Sequence, residues 1–330
     1  MAIKRKATVK DVAELAGVSL MTVSRVLNKK GYTSKATVKK VQQAVSDLGY
    51  VANALARGMN AGKSMIVGIP VPASSEYYVD IVGGLYSELS RHNYLLTIGW
   101  DHGIEPFKDE RGEGLGHIRQ MLEHRVDGLI IRPTVGATSV EYFKEVKAHG
   151  IPMVCVDRNF ADVDCAFVGS DDVWAAGEAA RILLERGHSK VLHLTIPQNI
   201  STVIDRKKGF KEAFDSLGGE SYYEVTAFIK ELDWVNEVEV LIKNKEITAI
   251  FAFNDVIASM LMKELGKRGI SIPNDVSVVG FGNLPVSKWT SPELATFDQK
   301  PKILGKEAGE LLYKLMNEPD DYLNSRKILI

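Results

Sequence analysis

The first fifty residues carry apolar side chains at the three- and four-residue spacing of short amphipathic helices. Thr8 is placed as the N-cap of a first helix, with Asp11 three residues later completing an imperfect capping box. Ser19 is the natural N-cap of a second helix, and a third runs from Ser34 to a stop at Gly49. Because the first two helices meet across a Gly-Val-Ser turn, the pattern predicts a helix-turn-helix, which places its second helix in the major groove of duplex DNA.

Beyond residue 63 the pattern changes to short apolar runs separated by amphipathic stretches of helical length. The runs are SMIVGIPV, YLLTIGW, VDGLIIRP, PMVCVDR, KVLHLTI, TAIFAFND and VSVVGFGN. This alternation is typical of parallel sheets with helices on both faces, and the remaining length accommodates two of them. The predicted fold class is a small all-α helix-turn-helix head followed by an α/β body of two parallel-sheet, Rossmann-like subdomains.

The charges are unevenly distributed between head and body. Residues 1–63 hold twelve basic and three acidic side chains, a net charge of +9, whereas the whole chain has a net charge of −1. A basic head on an acidic body suggests that one module binds a polyanion. The alternative is a solvated basic tail.

Composition and motifs exclude several classes of protein. Two cysteines, Cys155 and Cys165, are too few for a disulfide framework and fit a reducing compartment. No run approaches the ~20 apolar residues of a membrane span, so a cytoplasmic protein without a membrane partner is expected. The chain has no Walker lysine motif, no HExxH and no CxxC, so we predict neither catalytic residues nor a metal or cofactor.

The stretch TVKDVAELAGVSLMTVSRVLN, followed by GYVANALARGM, resembles the lactose/galactose repressor (LacI/GalR) family. In that family the first residues of the second helix bind base edges. The resemblance implies DNA contacts in the head from Thr8, Ser19, Leu20, Met21, Thr22, Ser24, Arg25 and Asn28. Arg25 can donate a bidentate pair to guanine, whereas Leu20 and Met21 can contact only thymine methyl groups. The alternative for Leu20 or Met21 is a place in the small core of the head.

Residues 50–63 resemble the hinge helix of the same family. Two helical turns are marginal in water, and in the family this segment folds only when it pairs with its dimer mate on DNA. Leu55 matches the leucine that the family wedges into the minor groove, while Ala52 stands where the family usually has proline. The implied hinge contacts are Asn53, Leu55, Ala56 and Arg57. A flexible linker is the alternative.

Polar side chains follow several of the apolar runs, at the edge where open parallel sheets bind ligands. This rule selects Tyr77, Tyr78, Arg132, Asp157, Arg158, Asn254 and Asp255. Aromatic rings cover the C–H face of a sugar, and charged groups hold its hydroxyls. The resemblance adds Arg206 and Trp234, supports Asp157 and Asp255, and places Ser75, Tyr77 and Gln299 at the pocket edge.

Several of these residues have alternative roles. Asp157 could simply pair with Arg158 or cap a helix, and Tyr78 could belong to the core. Trp174 and Trp289 are predicted to pack rather than to stack on a ligand. Arginines at 132, 158 and 206 suit an anionic effector, although arginine also binds neutral hydroxyls.

The predicted division of the chain follows from these patterns. Residues 1–49 form the DNA-binding domain, 50–63 the hinge helix and 64–330 the effector-binding and dimerisation domain. The resemblance implies a body of periplasmic-binding-protein type, with a first subdomain of about 64–160 and 294–320 and a second of about 161–293 and 321–330. No leucine heptad follows the last helix, so no coiled-coil tetramer is expected.

The expected function is that of a transcriptional repressor that recognises a specific sequence in double-stranded operator DNA. When bound to the operator, the protein would be associated with the nucleoid. A homodimer would bind the operator under the control of an effector held between the subdomains. That effector is a sugar, a sugar acid or a sugar phosphate. The alternative is a sugar-binding module or sugar-converting enzyme whose basic head is incidental.

Overall fold

The computed structural model describes residues 7–28, 31–51, 62–72, 75–101, 116–133, 138–159, 165–198, 200–229, 231–318 and 326–330. The chain divides into two compact units between Ser64 and Met65. The predicted hinge contacts, from Asn53 to Arg57, lie outside the described residues.

The first unit contains helices α1 (Val9–Ala16), α2 (Leu20–Asn28) and α3 (Lys35–Asp47). The predicted capping box is formed: the Thr8 hydroxyl accepts from the Asp11 amide, and the Asp11 carboxylate accepts from the Thr8 amide. Ser34 caps α3 in the predicted way. One valine from each helix is fully buried in the core of this unit, namely Val12, Val23 and Val41. The predicted helix-turn-helix is confirmed.

The second unit alternates strands and helices, as predicted. In chain order the elements are β1 (Ile66–Pro72), α4 (Glu76–Arg91), β2 (Leu95–Asp101), α5 (Gly116–Glu123), β3 (Gly128–Ile131), α6 (Thr138–Ala148), β4 (Met153–Val156), β5 (Ala166–Gly169), α7 (Asp172–Glu185), β6 (Lys190–Thr195), α8 (Ser201–Ser216), β7 (Ser221–Thr226), α9 (Trp234–Lys243), β8 (Ala249–Ala252), α10 (Asp255–Lys267), β9 (Ser277–Phe281), α11 (Pro285–Trp289), β10 (Ala295–Phe297), α12 (Pro301–Asn317) and β11 (Lys327–Leu329). All seven apolar runs of the sequence form strands.

The strands form two parallel sheets. The first has the order β11-β5-β4-β3-β1-β2, and the second has the order β10-β9-β8-β6-β7. Buried side chains form a separate cluster on each face of each sheet, which is the arrangement that parallel sheets require. Among the described residues, no helix combines the length and the apolar character needed to cross a membrane.

The predicted limits of the two subdomains were wrong at three places. β5 pairs with β4, and β11 pairs with β5, so residues 166–169 and 327–329 belong to the first sheet. β10 pairs with β9, so residues 295–297 belong to the second. These strands are three or four residues long, and the apolar pattern of so short a strand carries no information about its partner. The chain therefore crosses between the sheets at 170–171 and at 298–300.

Candidate functional site

The first turn of α2 presents apolar side chains to solvent. Leu20 is 45% exposed and Met21 is 65% exposed, while Val23 on the opposite face is fully buried. The alternative that Leu20 or Met21 packs into the core of the head is therefore wrong. Ser24 and Arg25 are exposed beside them, so this face joins two apolar side chains to a hydroxyl and a guanidinium.

The four other predicted DNA contacts of the head, Thr8, Ser19, Thr22 and Asn28, already have hydrogen-bond partners within it. The Thr8 hydroxyl takes part in the capping box of α1. The Ser19 hydroxyl accepts from the Thr22 amide at 3.2 Å, so Ser19 caps α2 as predicted. The same hydroxyl lies 2.9 Å from the Thr22 hydroxyl. Asn28 donates to the Ser24 hydroxyl at 3.2 Å. Of the exposed face of α2, only the Ser24 hydroxyl takes part in these bonds.

Asp157 collects the polar side chains at the carboxyl end of β4. Its backbone has a φ of 68°, the left-handed conformation, directly after the last residue of the strand. One carboxylate oxygen accepts from the Tyr77 hydroxyl at 3.0 Å, and the other accepts from the Tyr78 hydroxyl. Arg158 Nε lies 3.5 Å from the second oxygen. Both tyrosines belong to the core of the first sheet, which is the alternative weighed for Tyr78, and both also donate to Asp157.

Gln299 links this cluster to both segments where the chain crosses between the sheets. It lies on the second crossing segment and donates to the Tyr77 hydroxyl at 3.4 Å. It also donates to the hydroxyl of Ser170, on the first crossing segment, at 3.1 Å. Ser170 in turn donates to Asp172 at 3.0 Å, at the start of α7. A chain of buried hydrogen bonds therefore joins the two sheets through their connections.

This series of hydrogen bonds ends in the second subdomain at Arg206, a buried residue of α8. Arg206 Nε donates to Asp172 at 3.1 Å, and Nη1 donates to the Phe253 carbonyl at 2.6 Å. Its guanidinium carbon lies 3.8 Å from the centre of the Phe281 ring, close enough for a cation–π interaction. Phe253 directly follows β8, and Phe281 is the last residue of β9. The carboxyl ends of these two strands therefore hold Arg206 in place.

Asp255 has both of its oxygens occupied inside the second subdomain. The Thr296 hydroxyl donates to Oδ1 at 2.5 Å, and the Leu284 amide donates to Oδ2 at 2.7 Å. The carboxylate is fully buried, and Asn254 beside it caps α10 by accepting from the Ile257 amide at 2.9 Å. This geometry shows Asp255 ordering the loop after β9.

The remaining predicted residues lie apart from this network. Trp234 is buried in the core of the second sheet, and its indole N–H donates to the Phe228 carbonyl at 3.1 Å. Ser75 precedes α4, and its side chain makes no capping bond there. Trp174 is 63% exposed and Trp289 is 75% exposed, so the expectation that both pack in the interior was wrong.

Sequence analysis missed Ser170 and Asp172, which connect the two halves of the network. Both follow β5, whose four residues were not recognised as a strand, so its carboxyl end was not searched. Thr202 was also missed. It lies four residues before Arg206 on α8, hence on the same helix face, and its hydroxyl is buried without a hydrogen-bond partner.

Burial dominates the ionisation of Asp172. It raises the pKa of this carboxyl to about 6, although Arg206 and Ser170 favour the ionised form. The folded protein therefore binds this proton more tightly than the unfolded chain does. Stability from this source is fully present below about pH 4 and is lost as the pH rises through about 6.

Asp172→Asn is expected to remove this pH dependence. Between about pH 4 and 6, the unfolding free energy of the unchanged protein should fall relative to that of the variant by up to about 3 kcal/mol. Denaturant unfolding at a series of pH values measures the difference between the two proteins. Burial also raises the pKa of Asp255, but this effect is present in both proteins and cancels in the difference. Asp171→Asn, at the adjacent helix cap, is the control. A difference that changes in the opposite direction would show that attraction to Arg206 outweighs burial.

A separate groove of about 510 Å³ lies elsewhere in the second subdomain. Side chains of α7 and α10 line it together with β9 and β10, and the lining is mostly apolar. None of the residues predicted to bind an effector lines it. The groove is therefore distinct from the network between the sheets.

The architecture is that of a helix-turn-helix head joined to a two-sheet body with a polar junction at the crossings. Residues 8–53 match the bacterial regulatory proteins of the lacI family. Residues 64–330 match the periplasmic binding proteins and sugar binding domain of the LacI family. The chain belongs to the LacI family of regulators.

Curated relatives agree with this assignment. The chain is 31% identical to the HTH-type transcriptional repressor PurR of Vibrio atlanticus over 325 residues, covering 95% of this chain and 93% of the relative. It is 31% identical to the ribose operon repressor of Halalkalibacterium halodurans, covering 93% and 89%. These relatives are named as transcriptional repressors, and this protein is a regulator of their family rather than an enzyme.

A solved structure gives the same fold. The lac repressor dimer bound to operator and the anti-inducer ONPF superposes with a TM-score of 0.81 at 22% identity, covering 98% of this chain and 96% of that chain. At that identity the likeness shows the fold alone. The predicted fold class is confirmed.

Proposed function

We propose that this protein represses transcription as a homodimer on double-stranded operator DNA, and that a small sugar-like effector held between the two sheets controls its affinity for the operator. The observation that carries the proposal is the hydrogen-bonded chain from Asp157 to Arg206. It passes through Ser170 and Gln299, one on each segment where the main chain crosses between the sheets.

The head has the properties of a DNA-binding surface. Its exposed α2 face combines Arg25 with Leu20 and Met21, which supplies one bidentate donor and two groups suited to thymine methyls. The charge of +9 over residues 1–63 attracts the phosphate backbone. Apolar residues at the tip of a soluble helix are costly in water, and contact with base edges would bury them.

The body has the properties of a two-state switch. A ligand that replaces some of the hydrogen bonds linking Asp157 to Arg206 alters the bonding of both crossing segments. It thereby alters the angle between the sheets. In a dimer this angle sets the separation of the two hinge segments, residues 50–63, and so the pairing of Leu55 with its mate. Coupling of about 1–3 kcal/mol would change operator affinity roughly 5–150-fold.

DNA binding by the full-length protein tests the proposal. We expect a random duplex library to yield a preferred sequence with two related half-sites. The logarithm of its affinity should fall by about 0.9 per neutralised phosphate for each tenfold rise in salt. Arg25→Gln should weaken binding to the preferred duplex about tenfold or more, because a bidentate pair to guanine discriminates by about 1–3 kcal/mol.

Lys288→Gln is the control, since Lys288 is an exposed cation of the body. It should leave DNA affinity unchanged. If no duplex is preferred, or if affinity is insensitive to salt, the repressor proposal is wrong and the sugar-binding alternative gains support.

A further inference from the structure

Two arginines at neighbouring strand ends of the first sheet have unused hydrogen-bond donors. Arg132 directly follows β3, and Arg158 lies two residues after β4, the strand paired with β3. The Nε of each is buried and has no hydrogen-bond partner among the residues that the structure describes. An unpaired buried donor on a cation is costly, so groups of this kind in folded proteins usually await a partner.

Both guanidiniums lie beside the same tyrosine. The Arg132 guanidinium carbon is 5.0 Å from the centre of the Tyr78 ring. Arg158 Nε is 3.5 Å from the Asp157 oxygen that accepts from the Tyr78 hydroxyl, without the geometry of a hydrogen bond. Both positive charges act on that hydroxyl and oppose the rise of its pKa that burial causes. Both arginines therefore lie close to the Tyr78 side chain and the Asp157 carboxylate that it binds.

The nearby carboxylates leave this donor capacity unused. Asp157 has one tyrosine hydroxyl on each oxygen, and Asp255 has Thr296 and the Leu284 amide. Asp172 is bound to Arg206 and Ser170. The described residues around Arg132 and Arg158 thus combine two cations with the single carboxylate of Asp157, and what is missing is an acceptor of hydrogen bonds.

Arg206 differs from the other two arginines. Its Nε and Nη1 are already bonded to Asp172 and to the Phe253 carbonyl. The sequence suggested three equivalent arginines for an anionic ligand, but the structure commits the third to an internal ion pair. Among the described residues of the second subdomain, the buried polar atoms without a hydrogen-bond partner are the hydroxyls of Thr202 and Thr195 and the Nε2 of His193, and Thr202 is the one that shares a helix face with Arg206.

We propose that Arg132 and Arg158 form an oxyanion subsite, which binds the carboxylate or phosphate of an anionic sugar derivative. The neutral hydroxyls of the ligand lie toward Thr202 in the second subdomain. The inference rests on the proposed function, since it names the class of effector for the same junction. Each arginine presents Nε and Nη as a planar fork, the geometry that binds two oxygens of one anion.

Calorimetric titration of the full-length protein with matched ligands tests the subsite. The probes are D-glucose, D-gluconate, D-glucuronate and D-glucose 6-phosphate, with D-ribose and D-ribose 5-phosphate as a second set, all at constant ionic strength. We expect a charged member to bind at least tenfold more tightly than the neutral sugar of its set. The acid and phosphate arms identify which oxyanion is preferred.

Variants assign the preference to the two arginines. Arg132→Gln and, separately, Arg158→Gln should each remove the charged ligand's advantage, reducing its affinity tenfold or more and by a larger factor than any loss in the neutral sugar's affinity. Arg186→Gln, an exposed arginine after α7, should change neither affinity. Arg132→Lys, which keeps the charge and loses the fork, should recover only part of the affinity.

Three outcomes would overturn the subsite: neutral sugars that bind as tightly as their anions, variants that keep the preference, or an absence of binding by every anion in both sets. The comparison of neutral sugars with their anions uses the unchanged protein, so it tests the subsite even if a variant fails to fold. Preferential binding of a neutral sugar that also alters duplex affinity would leave the proposed function intact. If the random duplex library yields no preferred sequence, the proposed function is wrong, whatever the charge of the ligand that the protein binds.

Discussion

Gly84→Ala is expected to lower the free energy of unfolding by about 3 kcal/mol or more, because it forces apart two helices of the first subdomain. A Cβ atom at Gly84 on α4 would lie 2.1 Å from the backbone oxygen of Lys302 and 2.9 Å from the amide of Lys306, both on α12. Gly305 on α12 faces α4 in the same way, with a Cβ only 2.0 Å from the Ile81 oxygen. Backbone atoms cannot move aside as a flexible side chain can.

The adjacent residue supplies a matched control. Gly83 is exposed on the same helix, and a Cβ there would meet nothing within 4 Å. Gly83→Ala should therefore raise the free energy of unfolding by about 0.5–1 kcal/mol through helix propensity and reduced unfolded-state entropy. Urea unfolding of both variants gives the comparison. Equal stability of the two variants would mean that α4 and α12 are not in backbone contact.

The same contact has a consequence for the site. Tyr77 and Tyr78 lie in the first turn of α4, and both donate to Asp157. A shift of α4 away from α12 would move both hydroxyls, and hydrogen bonds weaken steeply as their geometry departs from the optimum. The fraction of the Gly84→Ala variant that still folds should therefore bind the effector less tightly than the unchanged protein does.

Most of the strands that the sequence predicted are buried on both faces; β2, at the edge of the first sheet with Leu95 and Trp100 exposed, is the exception. Runs such as GLII and MVCV are continuously apolar because helices cover both sides of a parallel sheet. β7 escaped prediction because its sequence, SYYEVT, mixes polar and aromatic residues, as suits the edge of the second sheet. β10 has only three residues, too few to show a period, and strand order depends on distant partners that no local pattern records.

The candidate site was predictable only where a strand had been recognised. The strand-end rule selected Tyr77, Tyr78 and Asp157 because β1 and β4 were visible in the sequence. The partner of Arg206 was not visible, since Asp172 lies 34 residues away in the chain and follows an unrecognised strand. Aromatic size misled the prediction for Trp174 and Trp289, because tryptophan is buried on average and composition cannot identify the exceptions.

Arg206→Ala is expected to lower the free energy of unfolding by about 3–5 kcal/mol, because it leaves the carboxylate of Asp172 buried without its counterion. Both side chains are at most 5% exposed, so water cannot replace the lost partner. The variant should also lose its response to effector, since the network then ends at Asp172. Arg181→Ala is the control: its ion pairs with Glu178 and Glu185 lie at the surface, where solvent screens them, so this variant should be almost as stable as the unchanged protein.

The double variant separates charge from packing. Adding Asp172→Asn to Arg206→Ala removes the unpaired charge, so the double variant should be more stable than Arg206→Ala alone, and the cycle should give a coupling energy of about 1–3 kcal/mol. Urea unfolding at pH 7.5, where the Asp172 carboxyl of the unchanged protein is ionised because its pKa is about 6, provides the measurement. A coupling near zero would place the cost in the lost contacts with Phe281 and the Phe253 carbonyl. In that case Arg206 would hold the carboxyl ends of β8 and β9 together, and the ionic link from α8 to Ser170 would add nothing to the junction between the sheets.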